Sequence, residues 1–106
     1  MFQVWHNYFT DPAVPFREID AAGLVPQRIA VTPEGLLDQP HGHPFPVWFY
    51  ITGGSIRIRD EEQGVTHDLH PGCMVKVTAG HRHSEELVHY EVIVATEAGA
   101  LPAVTV

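Results

Sequence analysis

The chain has 106 residues, 44% of them hydrophobic and 18% charged, with 13 acidic against 6 basic side chains and a formal charge of −7. That composition is globular rather than disordered, and the length is that of a single domain able to bury its own core. The negative balance argues against nucleic acid or an anionic membrane as a partner, since both recruit basic patches.

One cysteine, Cys73, precludes an intrachain disulfide, and it reads as a small packing residue. The opening Met1-Phe-Gln-Val-Trp-His lacks a charged leader region, and no apolar run approaches the roughly 18 residues of a membrane span. A cytoplasmic protein is expected. Within the first 25 residues, Phe2, Val4, Trp5, Tyr8 and Phe9 are too apolar for a free tail. They are expected to cover a sheet edge or to meet a partner subunit, as in a homodimer.

Proline and glycine then punctuate a series of short strands, and no long stretch keeps a helical period. Gln27-Arg-Ile-Ala-Val-Thr32 alternates and ends at Pro33-Glu-Gly35. Val47-Trp-Phe-Tyr-Ile-Thr52 is aromatic and β-branched, and should stop at Gly53-Gly54. Ser55-Ile-Arg-Ile-Arg59 alternates strictly, with Ile56 and Ile58 on one face. Asp60-Glu61-Glu62 is the one short acidic run and reads as a solvated loop. Strands follow over 64–70, over 73–78 after the Pro71-Gly72 turn, and over 90–95 before an apolar tail at 96–106. This spacing predicts an all-β sandwich or small barrel, with its core over 27–95.

Eight histidines are present. His41-Gly-His43 lies between Pro40 and Pro44, and His81-Arg-His83 follows the Ala79-Gly80 turn. In extended chain, residues i and i+2 point the same way, so each pair aims two imidazoles together. Neutral imidazoles bind zinc, iron, nickel or copper. His6, His67, His70 and His89 each sit alone and read as surface or structural residues. Glu85 shares the face of His83 by alternation, and Glu86 follows it. The Glu85 carboxylate could serve as a ligand, as a partner to a ligand, or as a base.

These residues resemble the two motifs of the cupin superfamily. The first motif has the form Gly-x5-His-x-His-x3-4-Glu-x6-Gly. It is matched from Gly35 through His41 and His43 to Gly54, except that Val47 stands at the glutamate position. The second has the form Gly-x5-Pro-x-Gly-x2-His-x3-Asn. It is matched from Gly72 through Gly80 to His83, with Thr78 for the proline and Leu87 for the asparagine. The resemblance implies a jelly-roll with a metal held by His41, His43 and His83. With the carboxylate gone, His81 becomes the expected fourth ligand. An all-histidine set leaves the charge of a divalent cation, about +2, uncompensated, which favours an enolate or diketonate. Phe45, Val47, Phe49, Ile51, Met74 and Leu87 are expected to line the substrate space.

Among cupins the chain is similar to the small monocupin cyclases of aromatic polyketide pathways, of the resistomycin and tetracenomycin types. That likeness implies folding of a poly-β-ketone chain, free or bound to a carrier protein, and its aldol cyclisation and aromatisation. It also implies zinc as the metal, although iron, nickel and manganese suit the same donors. The base would be Glu85, an unligated histidine or a metal-bound hydroxide. Two other readings stand beside it. One is a three-histidine iron(II) dioxygenase acting on a β-diketone. The other is a cupin that binds a small ligand without turnover.

Overall fold

A computed structural model describes residues 1–31 and 40–97, apart from the side chains of 31 and 86–88. The approach to the first histidine pair (32–39), the end of the tail and the Leu87 side chain lie outside the described residues. Six strands and one helix are described: β1 (Phe2–Trp5), α1 (Ala13–Ala21), β2 (Val25–Val31), β3 (Val47–Asp60), β4 (Val65–Leu69), β5 (Met74–Val77) and β6 (His83–Thr96). All pairings are antiparallel, in the order β1-β5-β3-β6-β2, with β4 also on β3. The all-β expectation holds, and the N-terminal segment covers a sheet edge by pairing Phe2–Trp5 with β5.

β3 and β6 organise everything else. The sequence predicts a stop at Gly53-Gly54, but β3 runs through it. Gly54 adopts φ 68°, and a Cβ there would collide with the His89 carbonyl. The strand therefore bends at a bulge instead of ending, with a register shift between Ile51 and Gly53. The bulge also flips the inward face. Val47 and Ile51 point inward before it, and Ile56, Ile58 and Asp60 are buried after it. β6 has a second register irregularity, opposite Ile56 and Arg57. Its inward set changes from His83 and Glu85 to Tyr90, Val92 and Val94.

Two apolar clusters fill the two faces of the sheet. The inner one joins Phe2, Val47, Ile51, Ile56, Ile58, Leu69, Val75, Val77 and the β6 residues above. Each fully buried aliphatic side chain stabilises by about 1.5–3 kcal/mol, so a one-residue slip of register would be costly. The outer cluster is capped by α1, whose Ile19 packs with Tyr50, Met74, Ile93 and Ala95. The sequence reading misses this helix because it is short and carries Pro15. Proline is tolerated there because the first turn has no intrahelical N–H bond to lose. The Asp11 side chain accepts the Ala13 N–H at 2.9 Å, and Glu18 accepts the hydroxyls of Tyr8 and Tyr50 at 2.7 and 2.8 Å.

Candidate metal centre

Three of the predicted ligands meet. His41 and His83 form an isolated β-bridge, each N–H donating to the other's carbonyl at 2.8 Å. The Gly80 N–H donates to the His43 carbonyl at 2.7 Å. A Cβ on Gly42 would stand 3.2 Å from the Gly80 carbonyl oxygen, so glycine between the two histidines lets this clip close tightly. One ring nitrogen from each of His41, His43 and His83 lies within 4.8 Å of the others. Ring centroids are separated by 4.5 Å (His41–His83), 5.4 Å (His41–His43) and 5.5 Å (His43–His83).

Their protonation suits a metal. Burial pushes the His83 imidazole down to about 4, aided by the neighbouring histidines and opposed by its bond to the His81 carbonyl. Burial, then the proximity of His41, lowers His43 as well. Both rings therefore stay neutral near pH 7, with lone pairs available. In His83, Nδ1–H donates to the His81 carbonyl at 3.1 Å, which fixes the tautomer. Nε2 is then buried without a partner. A fully buried imidazole nitrogen left bare costs about 1–3 kcal/mol, and a cation shared with His41 and His43 would satisfy it. His83 is inaccessible, while His41 and His43 are half-buried.

His81, the expected fourth ligand, is turned elsewhere. Its Nε2 lies 2.7 Å from Asp60 Oδ1 and its Nδ1 lies 3.7 Å from Glu62 Oε1. Asp60 is held below the usual carboxylate range. Burial opposes this, and the bonds from His81, Gln63 N–H and Glu62 N–H outweigh it.

Glu85 is 3% exposed and accepts the Tyr90 hydroxyl at 2.8 Å. Burial raises its pKa, while Tyr90 and His41 pull it partly back. Tyr90 is itself raised well above the normal range, by burial first and then by Glu85.

The lining residues divide. Phe45 stacks on His43 at 5.6 Å, and Val47, Phe49 and Ile51 belong to the inner cluster. Met74 is a correction. It faces outward beneath α1, because β5 puts Val75 and Val77 on the inner face. Phe2 is a lining residue the sequence reading misses. Its ring lies 6.0 Å from that of His83 and stacks on His67 at 5.6 Å. Cys73 is buried against His6, with Sγ 3.4 Å from Nδ1, as suits a packing residue.

No family model and no curated protein sequence matches this chain. Among solved structures it is similar to YcfD, a ribosomal oxygenase from Escherichia coli, at 19% identity and a TM-score of 0.59 over 84% of this chain and 27% of that one. It is also similar to the hydroxypropylphosphonic acid epoxidase from S. wedmorenis, at 20% identity and a TM-score of 0.55 over 73% of this chain and 44% of that one. The chain thus spans less than half the length of either. These likenesses concern the fold, a cupin-like β-sandwich. Among the described residues, no helix is long and apolar enough to cross a membrane.

Proposed function

We propose that this chain is a divalent-metal-dependent enzyme that enolises a 1,3-dicarbonyl substrate, and that its reaction is the aldol cyclisation of a poly-β-ketone chain. The observation that carries the proposal is the donor set. Three imidazoles converge, one with a buried bare nitrogen, and the glutamate position of the resemblance is the core residue Val47. Held by His41, His43 and His83, a dication such as zinc would supply Lewis-acid polarisation to two carbonyl oxygens.

The chain's own residues supply the rest. Glu85 takes the proton of the methylene between the two carbonyls, and its burial makes it a stronger base than a surface carboxylate. Tyr90 holds one carboxyl oxygen and so directs the other. Phe45, stacked on His43, offers a flat apolar wall against which the chain can fold. The enolate carbon then bonds to a distant carbonyl carbon of the same chain, whose oxygen takes the C=O electron pair and the proton back from Glu85; loss of that hydroxyl with a ring hydrogen as water, followed by enolisation, gives the aromatic ring.

A second reading is favoured by the named neighbours, an oxygenase and an epoxidase. With iron in place of zinc, the same chelation would serve cleavage of a β-diketone by O₂. The deciding experiment supplies purified protein with zinc(II) or iron(II), then with a synthetic poly-β-ketone and a simple β-diketone. Cyclised product with zinc and without oxygen uptake is the expected result. Oxygen uptake and diketone cleavage with iron alone would favour the second reading. Unchanged product distribution in His43→Ala would overturn both.

A further inference from the structure

We propose that the acidic run Asp60-Glu61-Glu62 is a brace that sets the spacing of the three histidines, with Asp60 as its central positioning residue. This rests on the reading of His41, His43 and His83 as a metal centre.

In sequence the run looks solvated, yet Asp60 is 1% exposed and ends β3 directly opposite His83. Its Oδ1 accepts the Glu62 and Gln63 N–H groups at 3.0 and 3.2 Å and faces His81 Nε2 at 2.7 Å. One oxygen therefore fixes both the turn and the His81 ring. The carbonyl of His81 in turn receives His83 Nδ1–H, which aims the bare Nε2. The turn is also sewn to the β6 strand beside His83. Glu61 N–H donates to the Arg82 carbonyl at 3.1 Å, Arg82 N–H to Glu62 Oε2 at 2.9 Å, and Ser84 Oγ–H to Glu61 Oε2 at 2.5 Å. Finally, the Arg82 guanidinium donates to the Pro40 carbonyl at 3.2 Å, immediately before His41. Both ligand-bearing segments are thus tied to one acidic turn. Apolar side chains of equal volume commonly stabilise as well as a buried hydrogen-bonded polar pair, so stability alone does not account for Asp60 and His81, whereas fixed geometry does.

The test is a cobalt(II) titration followed by visible absorption, with the melting temperature of each metal-free protein measured in parallel. Asp60→Ala is expected to weaken cobalt binding by about 10- to 100-fold and to shift the ligand-field band, as supporting residues around metal ligands do. Asp60→Asn keeps an oxygen at Oδ1 and should restore most of the affinity. Arg82→Ala removes an exposed side chain, so it should fold normally and still bind cobalt several-fold more weakly; it tests the brace even if Asp60→Ala fails to fold. Wild-type affinity and band in Arg82→Ala and Asp60→Ala would overturn the inference. So would an affinity loss that only follows the melting temperature, with the band unmoved. Absence of cobalt binding by the wild-type protein would instead overturn the metal reading itself.

Discussion

His83 makes the metal-free protein sensitive to mild acid, by an amount that can be worked out. Its imidazole has no solvent exposure, and its pKa falls from 6.5 to about 4 on folding. The folded state therefore binds fewer protons than the unfolded chain between these values. The contribution is fully present above pH 6.5, declines as pH falls, and is lost below about pH 4. Over the whole window it amounts to about 3 kcal/mol, of which about 2 kcal/mol is gone by pH 5. That is a large share of the stability of a domain this size. The assay is urea unfolding of metal-free protein at pH 7.5 and pH 5, for the wild type and for His83→Gln. The variant cannot titrate at that position but keeps the smaller effect of His43, which is lowered in the same direction. The difference between the two pH slopes isolates His83. Parallel slopes would refute the argument that this imidazole is buried in its neutral form.

Other changes separate chemistry from scaffold. Glu85→Gln keeps the shape and the Tyr90 partner, so it should lower kcat by about 100- to 10,000-fold while zinc affinity changes only a few-fold. Steady-state rates and isothermal titration of the same preparation check both halves of that statement. Gly42→Ala forces a Cβ to 3.2 Å from the Gly80 carbonyl and should weaken zinc binding through the His41–His43 clip, at an overpacking cost of about 1–3 kcal/mol. Calorimetric titration of zinc into the variant reads that loss directly. Gly54→Ala meets both a left-handed backbone and the His89 carbonyl, so it should lower the melting temperature strongly, as thermal unfolding would show.

The strands are legible in the sequence because they obey a local rule. Ser55–Arg59 alternates, and it lies within β3 with Ile56 and Ile58 inside. Where local rules meet a tertiary demand, they fail. Gly53-Gly54 reads as an end because glycine weakens a strand, yet here glycine is what lets β3 curve and continue beside β6. The bulge also transfers the buried set from odd to even positions, which alternation alone cannot anticipate. Met74 shows the matching error. It is apolar and on the right strand, but β5 has a helix over its other face, and α1 is too short to announce itself by periodicity.

The site divides along a similar line. The histidines of the proposed metal centre are legible because a shared metal would impose short, fixed spacings, and His-x-His in extended chain supplies two of the three donors. The carboxylates are legible only in part: alternation puts Glu85 on the face of His83, whereas Asp60 reads as solvated because its role depends on what lies across the sheet. Asp60 and Glu85 stand 25 residues apart, Asp60 at the head of an acidic run and Glu85 two positions after His83. Register sets Asp60 opposite His83 and Glu85 opposite Ile58, so both turn inward. One then meets a histidine and becomes its hydrogen-bond partner, and the other meets a tyrosine in an apolar wall and becomes a stronger base. Glu62, in the same acidic run as Asp60, remains half-exposed at its side chain, and its carboxylate accepts the Arg82 backbone N–H. Residue type and local pattern are similar in all three. The difference in chemistry comes from burial and partner, both of which are properties of the closed sheet.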